Sequence, residues 1–229
     1  MAISNESRGR IRRVFEPIAL GMGRMGLTPD GLTLIGFAIT VIGAVIVAQQ
    51  LWLAGGLVIF IGGVFDMFDG TLARATGKAS NLGAFMDSVF DRWGEAIVYV
   101  GIIAACAFAG FREGAILAAM AMGSAFMVSY TRAKSEGLGF TEATGMAAVG
   151  IMPREVRLVI LSLGLVLAPV PIHEAVPANA ACAGVCDAFQ GGTLTAALLL
   201  ITLGSTITVI QRILHVRRQA RSAARPTTN

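Results

Sequence analysis

Six long apolar stretches dominate the 229-residue chain, at roughly residues 32–50, 52–74, 82–110, 113–137, 155–172 and 192–215. A helix needs about 20 mainly apolar residues to cross the hydrocarbon core of a bilayer. The pattern therefore predicts an all-α integral membrane protein with six transmembrane helices. Composition agrees: 55% of residues are hydrophobic and 14% are charged, against about 25% charged in soluble domains. The length predicts one domain, divided into an interfacial helix and turn (1–27), a six-helix bundle (28–216) and a basic cytoplasmic tail (217–229).

Ahead of the first span, "RGRIRRVFEPIALGMGRMG" mixes Arg8, Arg10, Arg12, Arg13 and Arg24 with Ile11, Val14, Phe15, Ile18, Leu20 and Met22. Such a mixture predicts an N-terminal amphipathic helix lying in the membrane interface, its arginines near anionic headgroups. "LTPDGLT" then makes a turn, with Pro29 fixing φ and Asp30 or Thr33 offered as a helix cap.

The net charge of +4 is distributed unevenly. With six spans, one side carries the N-terminal arginines, Arg74, Lys78, Arg92, Arg132, Lys134, Arg154, Arg157, Arg212 and the tail Arg217, Arg218, Arg221 and Arg225. The loops near 50, 111 and 173–191 on the other side offer only Arg112. Basic residues stay on the cytoplasmic side, so both termini are expected there, in the cell membrane. The basic balance is thus spent on orientation, and no nucleic-acid partner is expected. The start of the chain is polar and basic for too long to read as a cleavable signal. Three cysteines are too few for a disulfide framework. Cys106 reads as a small core residue, and Cys182 and Cys186 as two loop thiols close enough to pair. His173 with those thiols matches no common metal spacing.

Within "FDMFDGTLARATGKASNLGAFMDSVFD", four carboxylates interrupt the apolar pattern: Asp66, Asp69, Asp87 and Asp91. Spacings of three and four put each pair on one helix face. A short connection around "ATGKASN" makes the two helices antiparallel neighbours, which brings the pairs together at the cytoplasmic end. Unpaired, four such charges would cost several kcal/mol each, by rough estimate, in desolvation. Arg74 supplies one compensating charge, and divalent cations supply the rest most naturally. An all-oxygen set selects hard ions such as Mg²⁺ or Mn²⁺, which also hold substrate phosphates.

The pattern D-x2-D-G-x2-A-R-x8-G-x3-D-x3-D resembles the signature of the CDP-alcohol phosphatidyltransferases. Asp66, Asp69, Gly70, Ala73, Arg74, Gly83, Asp87 and Asp91 match it, eight positions over 26 residues. The resemblance extends over nearly the whole chain and implies an enzyme that uses CDP-diacylglycerol and releases CMP. It implies two Mg²⁺ or Mn²⁺ ions held by Asp66, Asp69, Asp87 and Asp91, with Asp66 and Asp87 bridging and Asp91 as general base. It further implies CDP contacts from Asp30, Gly31, Leu32, Thr33, Gly70, Arg74 and Ser80, and a homodimer surrounded by membrane lipids.

The distal basic residues bear on the acceptor. Arg132 and Lys134 alternate at the end of the fourth span, Arg154 and Arg157 share a face of the fifth, and Arg212 comes from the last. Arginine clusters suit phosphate, so a phosphorylated polyol is favoured over a neutral alcohol. Within the family the pattern is similar to the actinobacterial-type phosphatidylinositol phosphate synthases, which use inositol phosphate. Phosphatidylglycerophosphate synthases, which use glycerol 3-phosphate, are the rival. The inositol-phosphate motif commonly reads Glu-Arg-Pro-Glu-Arg; "MPREVR" keeps the paired arginines, but the neighbouring acid and proline differ.

An ion-coupled transporter is the alternative of another class, since intramembrane carboxylates often mark ion pathways. It predicts acids at the midplane, often with an internal repeat. Here the acids lie near one end and no repeat is found. A small membrane scaffold would leave the eight-position spacing to coincidence.

Overall fold

The computed structural model describes residues 16–140, 149–168 and 192–223, and among these every regular element is a helix. A short helix over residues 16–24, α1, precedes α2 (Pro29–Ala48), α3 (Trp52–Ala75), α4 (Asn81–Phe108) and α5 (Arg112–Gly137). Beyond them lie α6 (Arg154–Val166) and α7 (Gly192–Ala223).

Local chemistry sets these boundaries. Thr28, rather than Asp30 or Thr33, caps α2: its Oγ1 accepts from the Gly31 amide at 3.1 Å, and Pro29 follows at the first turn. Thr33 thereby falls one turn inside the helix. The α3–α4 connection turns at Gly77, whose φ of +67° suits glycine. Ser80 then caps α4 by accepting from the Gly83 amide at 3.0 Å.

Helices α2, α3, α5 and α7 are each long and apolar enough to cross a membrane. The chain is accordingly a multi-pass membrane protein, all-helical among the described residues. Helix α4 has 28 residues but carries Asp87, Asp91, Arg92 and Glu95 between its seventh and fifteenth positions, which lowers its apolar average. Helix α6 has 13 residues, about 20 Å at 1.5 Å per residue, and is shorter than the expected stretch of 155–172. Residues 169–172 lie outside the described ones. Helix α7 runs through Arg217, Arg218 and Arg221 to Ala223, past the expected boundary at 216. Arg, Gln and Ala favour helix there, and no breaker occurs before Pro226.

Helix α2 packs on α3 and α4, α3 on α6, α4 on α5, and α7 on both α5 and α6. The shared core holds Val47, Ile59, Tyr99, Ile102, Leu165, Leu198 and Ile201, with Cys106 buried among them. Lipid removes most of the hydrophobic drive between helices, so close backbone approach has to supply the contact. Gly62 and Gly101 provide it. A Cβ on Gly62 would lie 2.6 Å from Thr40 Oγ1 and 3.2 Å from the Gly36 carbonyl; one on Gly101 would lie 2.5 Å from the Ala44 carbonyl. These contacts draw α3 and α4 against α2, which fixes the spacing of the acids they carry. Outside, Ile42, Val45, Leu57, Phe60 and Ile61 are exposed, as a lipid-facing surface requires.

Helix α1 packs through Ala19 onto Leu32, Phe68 and Leu72, near the carboxylate end of α3. The arginines expected to orient an interfacial helix, Arg8 to Arg13, lie outside the described residues, as do His173, Cys182 and Cys186.

Candidate active site

Asp66 and Asp69 lie one turn apart on α3, and Asp87 approaches from α4. Each brings one oxygen to a point where all three lie within 4.8 Å of one another. Asp69 is 5% exposed. Its Oδ2 accepts from Thr33 Oγ1 at 2.5 Å, and its Oδ1 accepts from the Gly70 amide. Those two bonds orient the carboxylate. Three anionic, hard oxygen donors converging in a partly buried site fit a divalent cation. Without a cation their mutual repulsion in a desolvated setting would be hard to sustain.

Asp91 departs from the expected fourfold set. Its Oδ1 lies 2.5 Å from Arg154 Nη1 as an ion pair without hydrogen-bond geometry, and its Oδ2 lies 3.3 Å from Arg92 Nη1. The same Arg154 Nη1 donates to Asp66 Oδ2 at 2.7 Å. Arg154, expected at the acceptor phosphate, therefore stands inside the carboxylate cluster. It arrives there because α6 packs on α3 with its N-terminus at that level. Arg74, expected to balance the acids, lies instead along its own helix beside Gly70, where a Cβ would sit 3.3 Å from Arg74 Nη1.

The candidate nucleotide contacts divide in two. Asp30 and Ser80 meet at Gly83, where an added Cβ would be 3.5 Å from Asp30 Oδ1 and 3.2 Å from Ser80 Oγ. Gly31, Gly70 and Arg74 flank the same end of the bundle. By contrast, the Leu32 side chain is fully buried against Phe68 and Leu72, and the Thr33 hydroxyl is committed to Asp69.

Of the remaining basic residues, Arg157 and Arg212 carry internal partners. Arg157, 1% exposed, forms a two-bond pair with Glu95 and also donates to the Met152 carbonyl. Arg212 donates to the carbonyls of Val149 and Val128, tying α7 to α5 and to the segment before α6. Thr208 pins that segment too, its Oγ1 accepting from the amides of Ile151 and Met152. Arg132 pairs with Glu136 at the exposed end of α5, where Lys134 is also exposed. Sequence reasoning passed over Glu95, although the signal was present: it continues the Asp87–Asp91 spacing by one more turn.

A sequence model of CDP-alcohol phosphatidyltransferases matches residues 26–217. The chain belongs to that family. Among similar proteins, a phosphatidylinositol phosphate synthase of Cutibacterium acnes is 34% identical over 216 residues, covering 92% of this chain and 95% of that protein. An archaetidylinositol phosphate synthase of Pyrococcus horikoshii is 35% identical over 154 residues, covering 67% and 77%. In structure, the chain resembles the Mycobacterium tuberculosis phosphatidylinositol phosphate synthase with CDP-DAG bound: TM-score 0.72, 28% identity, 89% of this chain and 94% of that one. The same enzyme has been crystallised with manganese and citrate, again with a TM-score of 0.72 and 28% identity, covering 89% and 88%. As a CDP-alcohol phosphatidyltransferase, the chain is a membrane-bound enzyme whose acid cluster fits a divalent metal.

Proposed function

We propose that this phosphatidyltransferase moves the phosphatidyl group of CDP-diacylglycerol to a hydroxyl of inositol 1-phosphate, giving phosphatidylinositol phosphate and CMP. The observation that carries the reading is the convergence of Asp66, Asp69 and Asp87 within 4.8 Å. The phosphatidylinositol phosphate synthases among its relatives support the choice of acceptor.

In this reading Asp66, Asp69 and Asp87, with Asp91 beside them, would hold Mg²⁺ or Mn²⁺, two ions in all. Such ions would supply positive charge against the donor diphosphate and the departing CMP. Gly70, Arg74, Ser80 and the segment Asp30–Thr33 hold the CDP moiety, Leu32 and Thr33 through backbone and by fixing Asp69. Asp91 accepts the proton of the acceptor hydroxyl. The oxygen then bonds to the lipid-bearing phosphorus as the bond from that phosphorus to the CMP oxygen breaks. Arg132, Lys134, Arg154, Arg157 and Arg212 form the basic surroundings of the acceptor phosphate. Charges at this depth let the donor keep its acyl chains in the bilayer while its headgroup reaches the acids.

Six spans, a single domain over 1–229, cytoplasmic termini in the cell membrane and a homodimer complete the proposal. The Lys and Arg asymmetry supports the orientation. One experiment tests the function. Purified enzyme receives radiolabelled CDP-diacylglycerol with inositol 1-phosphate, glycerol 3-phosphate, inositol or serine in turn. Phosphatidylinositol phosphate from the first alone is the expected product. A product from glycerol 3-phosphate alone would replace the acceptor and keep the chemistry.

A further inference from the structure

Two features of Arg154 go beyond a place in the acceptor site. Its Nη1 lies against two carboxylates from different helices, Asp66 on α3 and Asp91 on α4, at 2.7 and 2.5 Å. The first contact is a hydrogen bond and the second a charge contact without directed geometry. Second, Arg154 is the first residue of α6. A cation there meets the positive end of the helix dipole, so its own helix does not favour it. Among the described residues only the acids hold the guanidinium, and they hold it by one directed bond. Arg157, one turn later, is anchored differently: buried, with both its Nε and Nη2 matched to Glu95. The two arginines of the pair are thus one fixed and one releasable.

We infer that Arg154 is a displaceable resident counter-ion, occupying the oxygens of Asp66 and Asp91 until a second divalent cation takes them, and then turning its charge to an acceptor phosphate. This rests on the proposed function, since it assigns a regulatory role inside that site. Any cation that binds Asp66 and Asp91 shares oxygens with Arg154, so the two compete. An acceptor phosphate that draws Arg154 away removes the competitor, and linkage requires the converse. Cation binding at Asp66 and Asp91 and acceptor binding therefore favour each other. Arg154 leaves Asp66 and Asp91 only when the acceptor phosphate is in place, so the second cation loads together with the acceptor, which guards CDP-diacylglycerol from idle cleavage.

The test is a Mn²⁺ titration of the purified full chain in detergent without donor, counting bound ions by electron paramagnetic resonance. Wild type is expected to bind one ion tightly and a second weakly. Arg154→Gln should tighten the second by about tenfold, within the range of coupled sites. Inositol 1-phosphate and glycerol 3-phosphate serve as anionic probes. Either should tighten the second ion in wild type and leave Arg154→Gln unchanged. Arg154→Lys, which keeps the charge, should restore the weak second ion, and a melting curve checks that each variant is folded. Equal affinities in wild type and Arg154→Gln, with one or two ions bound, would overturn the counter-ion role and leave the metal reading standing. No bound Mn²⁺ in any variant would overturn both.

Discussion

Arg157 and Glu95, 62 residues apart in the chain, meet as a two-bond ion pair, Nε to Oε1 at 2.7 Å and Nη2 to Oε2 at 2.8 Å. The side chains are 2% and 11% exposed. Removing one partner of such a pair leaves an uncompensated charge, at a cost of about 3–5 kcal/mol. Glu95→Ala should lower unfolding stability in detergent by about that much. Glu95→Leu with Arg157→Met should recover most of it, because the stranded charge is gone. Equal losses in the single and double variants would show that the pair matters through packing alone.

Thr33 and Asp69 give a second prediction. The hydroxyl supplies a hydrogen bond to a buried carboxylate, a type worth about 1.5–3 kcal/mol. Thr33→Val keeps the shape and deletes the bond. Divalent-cation affinity should fall by roughly tenfold, each factor of ten corresponding to about 1.4 kcal/mol. Unchanged Mn²⁺ affinity in calorimetry would mean that Asp69 is held by its surroundings without the hydroxyl.

Glycine substitutions separate close packing from helix propensity. Gly101→Ala drives a Cβ to 2.5 Å from the Ala44 carbonyl and should cost about 1–3 kcal/mol by overpacking. At Gly123 nothing lies within 4 Å of an added Cβ, so alanine there should be neutral or gain up to about 1 kcal/mol. Thermal melting of both variants decides it. Matching effects would refute the claim that Gly101 sets the α2–α4 distance.

Asp91→Asn tests the base. Losing general base catalysis typically costs about 10²–10⁴-fold in rate. CMP release should drop by that order while labelled CDP-diacylglycerol still binds. Near-normal turnover would assign the proton to another group.

Much of this was readable along the chain. Apolar run length set the helices, and the three- and four-residue spacings set which acids share a face. Asp66, Asp69 and Asp87 converge because α3 and α4 both pack on α2 while the short turn at Gly77 brings the end of one to the start of the other; the two helices meet at their ends and are not the packed neighbours expected from the short connection. The placement of Arg154 and Glu95 was less readable. Their partners lie 88 and 62 residues away, and which α6 residue meets which acid depends on how α6 docks on α3 and α4. That docking is set by packing, which charge spacing along one helix does not encode. The cap of α2 was missed for a smaller reason: Thr28, Asp30 and Thr33 are all capping types, and Pro29 decides among them by claiming the first turn.

The central claim is that Asp66, Asp69 and Asp87 together hold a divalent cation that the transfer needs. Crystals grown with CDP-diacylglycerol and Mn²⁺, measured for manganese anomalous scattering, address it directly. We expect an anomalous peak between these three carboxylates, lost in Asp66→Asn along with CMP release. A map without a peak there, from protein that turns over in the same buffer, would contradict it.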